Sequence, residues 1–517
     1  MCKHAAPLPD DPALCHEIIR QQADTIRESQ RRIEQLEHQV ELLLRHQYGP
    51  RRESVDPAQL RLFTDDALED ASEAASGEPS ESDVAKREWR RRGRQRLPED
   101  LPRKRVEYEL SPEELPCPDC GHTRTKIGEE TSEQLEYVPS SLHIIVHARF
   151  RYACRGCQEH VALAAKPPQP IDKGLPGPGL LAQTITSKYS DHLPLYRLED
   201  IYARHGVVLS RATLCGWMAR SAELLTPLYD LMVKRVLQSK VIHTDDTTVP
   251  VWDPTLPKTR TGRFWDYIGD VRNPYVVYDY TPRRTRDGPE RFLKGFRGYL
   301  QADAFSGYDR MCAGPNVIEV ACWAHVRRKF FESRTSAPVL AHAALARIRQ
   351  LYKIETAAEE FSAEDRCGLR RRDSVPLLDA FGEWLTEQGR HVLPKSPIGQ
   401  AIAYAQSNWT ALCRYPEHDE LSIDNNLAER MLRAQAIGRK NYTFLGSDRG
   451  GRTAAVLYSF TGTCKHHDID PFAYFQDVLS RLPSMSPGKL DELLPDVWFV
   501  THPKARRKTA AKSLAAA

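Results

Sequence analysis

The stretch that most limits what this chain can fold into runs from Lys240 to Cys322. It reads as short apolar runs broken by turn residues: "KVIHTDDTTVPVW", "RFWDYIGDV" and "YVVYDYT", then a helical "PERFLKGF", then "GYLQADAFSGY" and "NVIEVAC". Runs rich in Val, Ile, Tyr and Trp, bounded by Gly, Pro and Asp, are strand signals. The expected order is three strands, a helix, a fourth strand and a fifth, followed by the helix "WAHVRRKFFES". The first strand carries two adjacent acids, Asp245 and Asp246. Charged groups are rarely buried without a partner, so two at the mouth of a core strand demand a reason.

That succession is the opening of an RNase H-like fold, in which the first and fourth strands lie side by side. Asp245 ends the first strand, and Asp303, 303 − 245 = 58 residues on, ends the fourth. Two carboxylates brought together repel, and one pKa rises, unless a divalent cation sits between them. A third acid is expected from a helix packed on that end of the sheet. The stretch "LSIDNNLAERMLRAQAIGRKNYTFLGSDRGG" supplies Glu429, with Asp424 or Asn425 as N-cap, Arg433 on Glu429's face and Arg430 to one side. Bases beside a metal-ligating acid suit a phosphodiester substrate. Each carboxylate alone is unspecific; the ordered trio is more telling. Asp303 and Glu429 are 429 − 303 = 126 positions apart, so residues 336–414 read as a helical insertion that either contacts DNA or buttresses the site.

With 517 residues the chain exceeds one hydrophobic core. Two Cys-x-x-Cys knuckles, Cys117/Cys120 and Cys154/Cys157, flank strand-like runs and fit one four-cysteine structural Zn2+ in a ribbon spanning 113–165. Four thiolates leave no open position, so this zinc is not catalytic; such ribbons bind nucleic acid or only brace a fold. The other eight cysteines read as core thiols. Residues 174–237 are helical in pattern, with a Gly206 turn and a Ser210 N-cap giving either a helix-turn-helix or an ordinary helical hairpin. Residues 1–50 are expected to hold an N-terminal coiled coil, with Ile19, Ile26, Ile33 and Val40 at a, and Leu36 and Leu43 at d, a pattern favouring a parallel dimer over a lone amphipathic helix packed on its own chain.

The formal net charge of +3 conceals segregation. Residues 65–83 hold eight acids and no Lys or Arg, whereas 86–105 hold ten bases and three acids, a net of 10 − 3 = +7. Such a run either attracts a polyanion, nucleic acid first, or is a solvated linker; 51–112 is expected to be a largely disordered charged linker. The remaining boundaries are 238–335 and 415–462 for the two parts of the core, 463–500 for a helical C-terminal domain, and 501–517 for a basic tail. Neither a signal h-region nor a membrane-length apolar run is present, which points to the cytoplasm. Arg327, Arg328, Lys329, Arg430, Arg433, Arg439, Lys440 and Arg211 are expected to face DNA phosphates. His325, a lone His, is either structural or positions DNA or the scissile phosphate, rather than acting as a base. Cys464, His466, His467 and Asp468 read as a loop, not a metal cluster. The fold class is thus multidomain α/β, an RNase H-like core preceded by coiled coil, ribbon and helix-turn-helix-like region.

The chain resembles the insertion-sequence 66 family of bacterial transposases. The likeness is carried by "HTDDTTV", "LQADAFSGY", "CWAHVRRKF", "IDNNLAERMLRAQAIGRKNYTFLGSDRGG", "KYSDHLPLYRLEDIYARHGVVLSRATLCGWM", the two knuckles and "IDPFAYFQDVLSRLP", collinear over roughly residues 15–490. It implies a DDE transposase that hydrolyses phosphodiesters at element ends and transfers the 3′-hydroxyl strand into target DNA. The family's Asp-Glu-Thr motif falls on Asp245, Asp246 and Thr247, making Asp245 the first ligand, Asp303 the second and Glu429 the third. Two Mg2+ ions are implied, with Mn2+ able to substitute: one activates water or the 3′-hydroxyl, the other stabilises the leaving oxygen. The implied partners are double-stranded DNA (terminal inverted repeats and target), a second copy of the chain or more, and small accessory proteins of the same element, on the nucleoid and without a membrane. Two other readings keep the same residues: a hydrolysis-only, structure-selective nuclease, and an inert zinc-dependent DNA-binding protein.

Overall fold

The structure, a computed structural model, describes residues 102–138, 141–154, 156 and 161–507, together with His16, Arg20 and Gln22. The expected coiled coil, nearly all of the charged stretch 51–112, and Cys157 lie outside the described residues. Among the described residues the fold is mixed α/β with two sheets, and Cys117, Cys120 and Cys154 flank the long strands of the first.

In that sheet β2 (Thr125–Val138) and β3 (Ser141–Ala153) form a long antiparallel hairpin, while β1 (Arg103–Tyr108) lies parallel to β3 on its other side. A two-residue strand, β4 (Ala162–Leu163), completes it. The stretch expected to be unstructured linker therefore ends in a strand. Alternation explains it: Val106 and Tyr108 are half-buried, while Arg103 and Arg105 pair with Glu133 and Glu129 on β2 at 3.0 and 2.5 Å. Charge matching across the sheet absorbs part of what looked like a free basic run.

Three helices follow: α1 (Pro178–Ile185), α2 (Leu195–Arg204) and α3 (Arg211–Val236). Gly206 turns the chain at φ 81°, and Ser210 Oγ accepts from the Thr213 amide at 3.2 Å, the cap expected from sequence. The second sheet has strands β5 (Val241–Val251), β6 (Arg260–Ile268), β7 (Val276–Thr281), β8 (Gly298–Ala302) and β9 (Val317–Ala321), in the order β7-β6-β5-β8-β9. The β5–β6 and β6–β7 pairs are antiparallel and the β5–β8 and β8–β9 pairs parallel. A short helix, α4 (Asp287–Phe292), connects β7 to β8. Phe264, Trp265, Tyr267 and Ile268 of β6 are fully buried, each worth about 1.5–3 kcal/mol of apolar transfer.

From β9 the chain enters α5 (Trp323–Glu332), α6 (Pro338–Ala357), α7 (Val375–Gly389) and α8 (Pro397–Ser407), then α9 (Asn426–Tyr442), α10 (Asp448–His466), α11 (Pro471–Arg481) and α12 (Pro495–Thr501). Edge strand β7 is closed by α10, whose Ser459 and Thr463 hydroxyls accept from the amides of Tyr278 and Val276 at 2.8 and 3.0 Å. Capping an edge with helix hydroxyls removes its capacity to pair with another chain. Gly451 and Gly462 permit the approach, because a Cβ there would meet Tyr280 and Tyr278 at 2.6 and 3.1 Å.

Residues 464–466 are the last turn of α10, not a loop: buried Cys464 packs in the core and continues the helix. Cys215, expected as a core thiol, is exposed. The first residues of the expected basic tail are tied down, Asp470 and Arg507 amides donating to the carbonyls of Ala505 and Asp468.

The chain divides into two compact units. Among the described residues one comprises 327–347 and 381–407, a helical body in which Phe381 packs on Phe330 and Trp384, and Arg347 lies over the Trp384 ring at 4.7 Å. The other holds both sheets and the remaining helices. Among the described residues no helix is long and apolar enough to cross a membrane.

Candidate active site

Register places the first two acids. β5 and β8 pair in parallel as Val241↔Tyr299, Ile242↔Leu300 and His243↔Gln301. Two residues past the last pair stand Asp245 and Asp303, at the same end of strands about 4.8 Å apart. Asp303 begins the turn after β8, where its carboxylate accepts from the Phe305 amide at 3.1 Å and Ala304 takes a left-handed φ of 60°.

Glu429 is brought in by α9, whose N-cap Asn425 is fully buried and works in three directions. Its Nδ2 donates to the Thr244 carbonyl at 2.8 Å, its Oδ1 meets His243 Nδ1 at 3.1 Å, and its amide donates to Cys322 Sγ at 3.2 Å. One residue thus ties the helix start to β5 through its side chain and to the end of β9 through its backbone N–H. Buried Gln301 of β8 holds the preceding loop, donating to the carbonyls of Ser422 and Asp424. From the expected insertion, buried Arg370 pairs with Glu355 at 2.6 Å and donates to the carbonyls of Tyr415, His418 and Leu421. This part of the insertion buttresses the segment leading to Glu429.

The electrostatics separate the two adjacent acids. Asp246 is clamped by Arg263 at 2.6 Å and Arg284 at 2.7 Å. Asp245 has no arginine or lysine partner among the described residues. Burial, then the charges of Asp303 and Glu429, push its carboxyl well above the usual carboxylate range, although the Asp246 amide donates to it at 2.7 Å. Burial also raises Asp303, opposed by His325 and by Arg284 at 3.8 Å. Asp246 is thus paired with two arginines, and Asp245 with none among the described residues.

A fourth acid had no role in the sequence reading. Asp266 lies opposite Asp245 on β6, fully buried, and accepts from the Asp245 amide at 2.9 Å. Burial foremost, then Asp245, drives its carboxyl far up. The signal was available: an acid amid the apolar residues of "RFWDYI" has nowhere to go but the core.

The acid cluster predicts a measurable penalty. A carboxyl whose folded pKa is raised above its unfolded value favours the fold below the unfolded pKa. That contribution is lost as pH rises through the folded pKa. At pH 7.5, without added divalent cation, Asp245→Asn is therefore expected to stabilise the zinc-retaining protein by roughly 1–2 kcal/mol, about 2–4 °C in Tm per kcal/mol. Calorimetry checks it, and the gain shrinks toward pH 4; an unchanged or lower Tm at pH 7.5 would count against the crowding.

The expected DNA-facing bases are placed unequally. Arg430, Arg433 and Lys440 are exposed on α9. Arg439 is instead engaged, its Nη1 donating to the Thr248 carbonyl and to Thr248 Oγ1 at 2.7 Å. Arg328 pairs with Glu332 at 3.3 Å, Lys329 lies over the Tyr404 ring at 4.6 Å, and Arg327 is half-buried. Arg211 is exposed at the start of α3, 3.9 Å from Glu199. His325 Nδ1 stands 3.9 Å from Glu429 Oε1.

In the first sheet the Sγ atoms of Cys117, Cys120 and Cys154 lie within 4.8 Å of one another. Gly121, at φ 69°, closes the first knuckle by donating to the Cys117 carbonyl at 3.0 Å.

Residues 173–453, more than half of the chain, match the family model described as "Transposase IS66 family". Three further models match: the zinc-finger binding domain of transposase IS66 at 114–158, "Transposase C of IS166 homeodomain" at 35–106, and the IS66 C-terminal element at 459–495. Similar proteins come from Sinorhizobium fredii (strain NBRC 101917 / NGR234). Uncharacterized protein y4hP is 33% identical over 493 residues, covering 90% of this chain and 88% of that one. Uncharacterized protein y4jD is 32% identical over 507 residues, 94% and 98% of the two. With a zinc-finger domain and DNA-binding regions beside a transposase domain, the chain belongs to the IS66 family of transposases.

Proposed function

We propose that this transposase cuts and joins DNA at an RNase H-like core in which Asp245, Asp303 and Glu429 hold the catalytic divalent cations. The observation that carries the reading is the convergence of three carboxylates at one sheet end, with Asp245 buried and lacking any basic partner among the described residues. The strand order supports the fold assignment. The donors fit the group: carboxylate oxygens suit a hard dication such as Mg2+ or Mn2+. When bound, the cations supply a nucleophilic oxygen at neutral pH and Lewis-acid stabilisation of the scissile phosphate.

The chain's own residues do the rest. Asp245 and Asp303 give up the proton that crowding favours. Arg263 and Arg284 keep Asp246 out of the ligand set. Asn425 and Gln301 fix the helix that presents Glu429. Arg430 and Arg433 offer positive charge to the DNA backbone, as do Lys440 and the exposed Arg211. Cys117, Cys120, Cys154 and Cys157 hold the ribbon's Zn2+, and the N-terminal heptads join two copies so that both element ends meet in one assembly in the cytoplasm.

The test is a labelled duplex carrying the element's terminal repeat, incubated with protein and Mg2+. Strand cleavage followed by joining of the 3′ end to a second duplex is expected; cleavage without joining favours a nuclease, and binding alone an inert DNA-binding protein. The basic run at 86–105 gives a separate expectation. Neutralising six of its bases should weaken binding to every duplex and flatten the slope of log K against log salt by about 5, leaving sequence preference unchanged. Gel shifts across a salt series measure both.

A further inference from the structure

We propose that His325 is a nitrogen ligand of the cation held by Glu429, so that the site is a mixed carboxylate–imidazole centre suited to Mn2+. The inference rests on the metal-site reading above and adds a donor to it. Cys322, His325 and Glu429 offer donor atoms that all lie within 4.8 Å of one another. Cys322 is accounted for otherwise: its sulfur sits at the start of α5 and receives the Asn425 amide at 3.2 Å and the amide of His325 itself. It therefore caps the helix and fixes where the imidazole begins.

His325 Nδ1 is buried and has no hydrogen-bond partner among the described residues. Buried ring nitrogens normally find a partner, so an orphan calls for one. Its neighbour, Glu429 Oε1, is 3.9 Å away, too far for a hydrogen bond. Two donors each at about 2.0–2.2 Å from a shared ion stand roughly 3–4 Å apart. The ring is also close enough to Asp303 for its charge to act on that carboxyl. An imidazole nitrogen shifts preference away from Mg2+, which favours oxygen, toward transition-metal dications.

The test uses Mn2+ alone, added to the zinc-loaded full-length protein and read by electron spin echo modulation, with no activity measured. Native protein should show the nitrogen coupling of a directly bound imidazole, and 15N-histidine labelling of the native chain should change its pattern. This arm does not depend on any variant folding. In His325→Gln the coupling should vanish and Mn2+ affinity fall roughly tenfold or more, with circular dichroism unchanged. Mn2+ that binds, is lost in Asp245→Asn, and shows no nitrogen coupling in native protein overturns the role of His325 and leaves the carboxylate site standing. Coupling that persists in His325→Gln also overturns it, pointing to His243. No Asp245-dependent Mn2+ binding at all overturns the metal-site reading together with the inference.

Discussion

Asp245→Asn, Asp303→Asn and Glu429→Gln should each cut DNA cleavage and joining by roughly three orders of magnitude or more, about 4 kcal/mol of barrier, while each variant still binds terminal-repeat DNA. The expectation rests on separating binding from chemistry: Arg430 and Arg433 are exposed, and under the proposed function such bases, not the acids, contact the phosphates. Asp246→Asn is the internal control. Its carboxylate is held by Arg263 and Arg284, so its loss unsettles two arginines beside the site without removing a ligand. A partial loss of rate is expected, well short of the Asp245 variant. If Asp246→Asn is dead and Asp245→Asn active, the two acids have been assigned the wrong way round. If joining survives in all three primary variants, the site lies elsewhere. Single-turnover assays with equal DNA occupancy make the comparison clean.

Cys117→Ser and Cys154→Ser should each drop bound zinc from one per chain to none and unfold the first sheet. Structural zinc in small domains is worth about 10–16 kcal/mol at neutral pH, more than a four-stranded sheet could replace from its own burial. The two thiols are buried, at 2% and 1% exposure, so serine leaves polar oxygens in their place with no ion to satisfy. Among the described buried residues of the first sheet, only Leu135, Leu142 and Ile144 join the large hydrophobic core that holds Trp265, Phe264 and Tyr267, so the second sheet should stay folded. Limited proteolysis is therefore expected to open the stretch 102–165 and leave a resistant fragment from about residue 174 onward. Zinc retention at one per chain, measured by atomic absorption, or continued resistance of the first sheet, would remove the cysteines from the ligand set.

Much of the second sheet was legible because its strands are short runs rich in Val, Ile, Tyr and Trp with Gly, Pro and Asp between them. The cap at Ser210 and the turn at Gly206 were legible for the same kind of reason, being set by one residue's geometry. β1 was not, since its basic residues match a charged linker until the sheet brings the acids of β2 within reach across β3. The end of α10 misled as well: the polar run from Lys465 to Asp468 resembles a loop, and only burial of Cys464 against the core shows the helix continuing.

By itself the sequence determined which residue types stand where: three separated acids in order, paired cysteines at ligand spacing, a helix start at Asp424 or Asn425, and a family likeness carried by long collinear motifs. Tertiary structure alone decided what each acid faces. Asp245 and Asp246 are neighbours in the chain, yet one meets buried Asp266 and no arginine while the other meets two, because Arg263 and Arg284 come from strands and turns 17 and 38 residues away. Asp266 and His325 acquired their places in the same manner. A carboxylate's charge state depends on burial and on partners distant in sequence, and both are set only when the sheet closes.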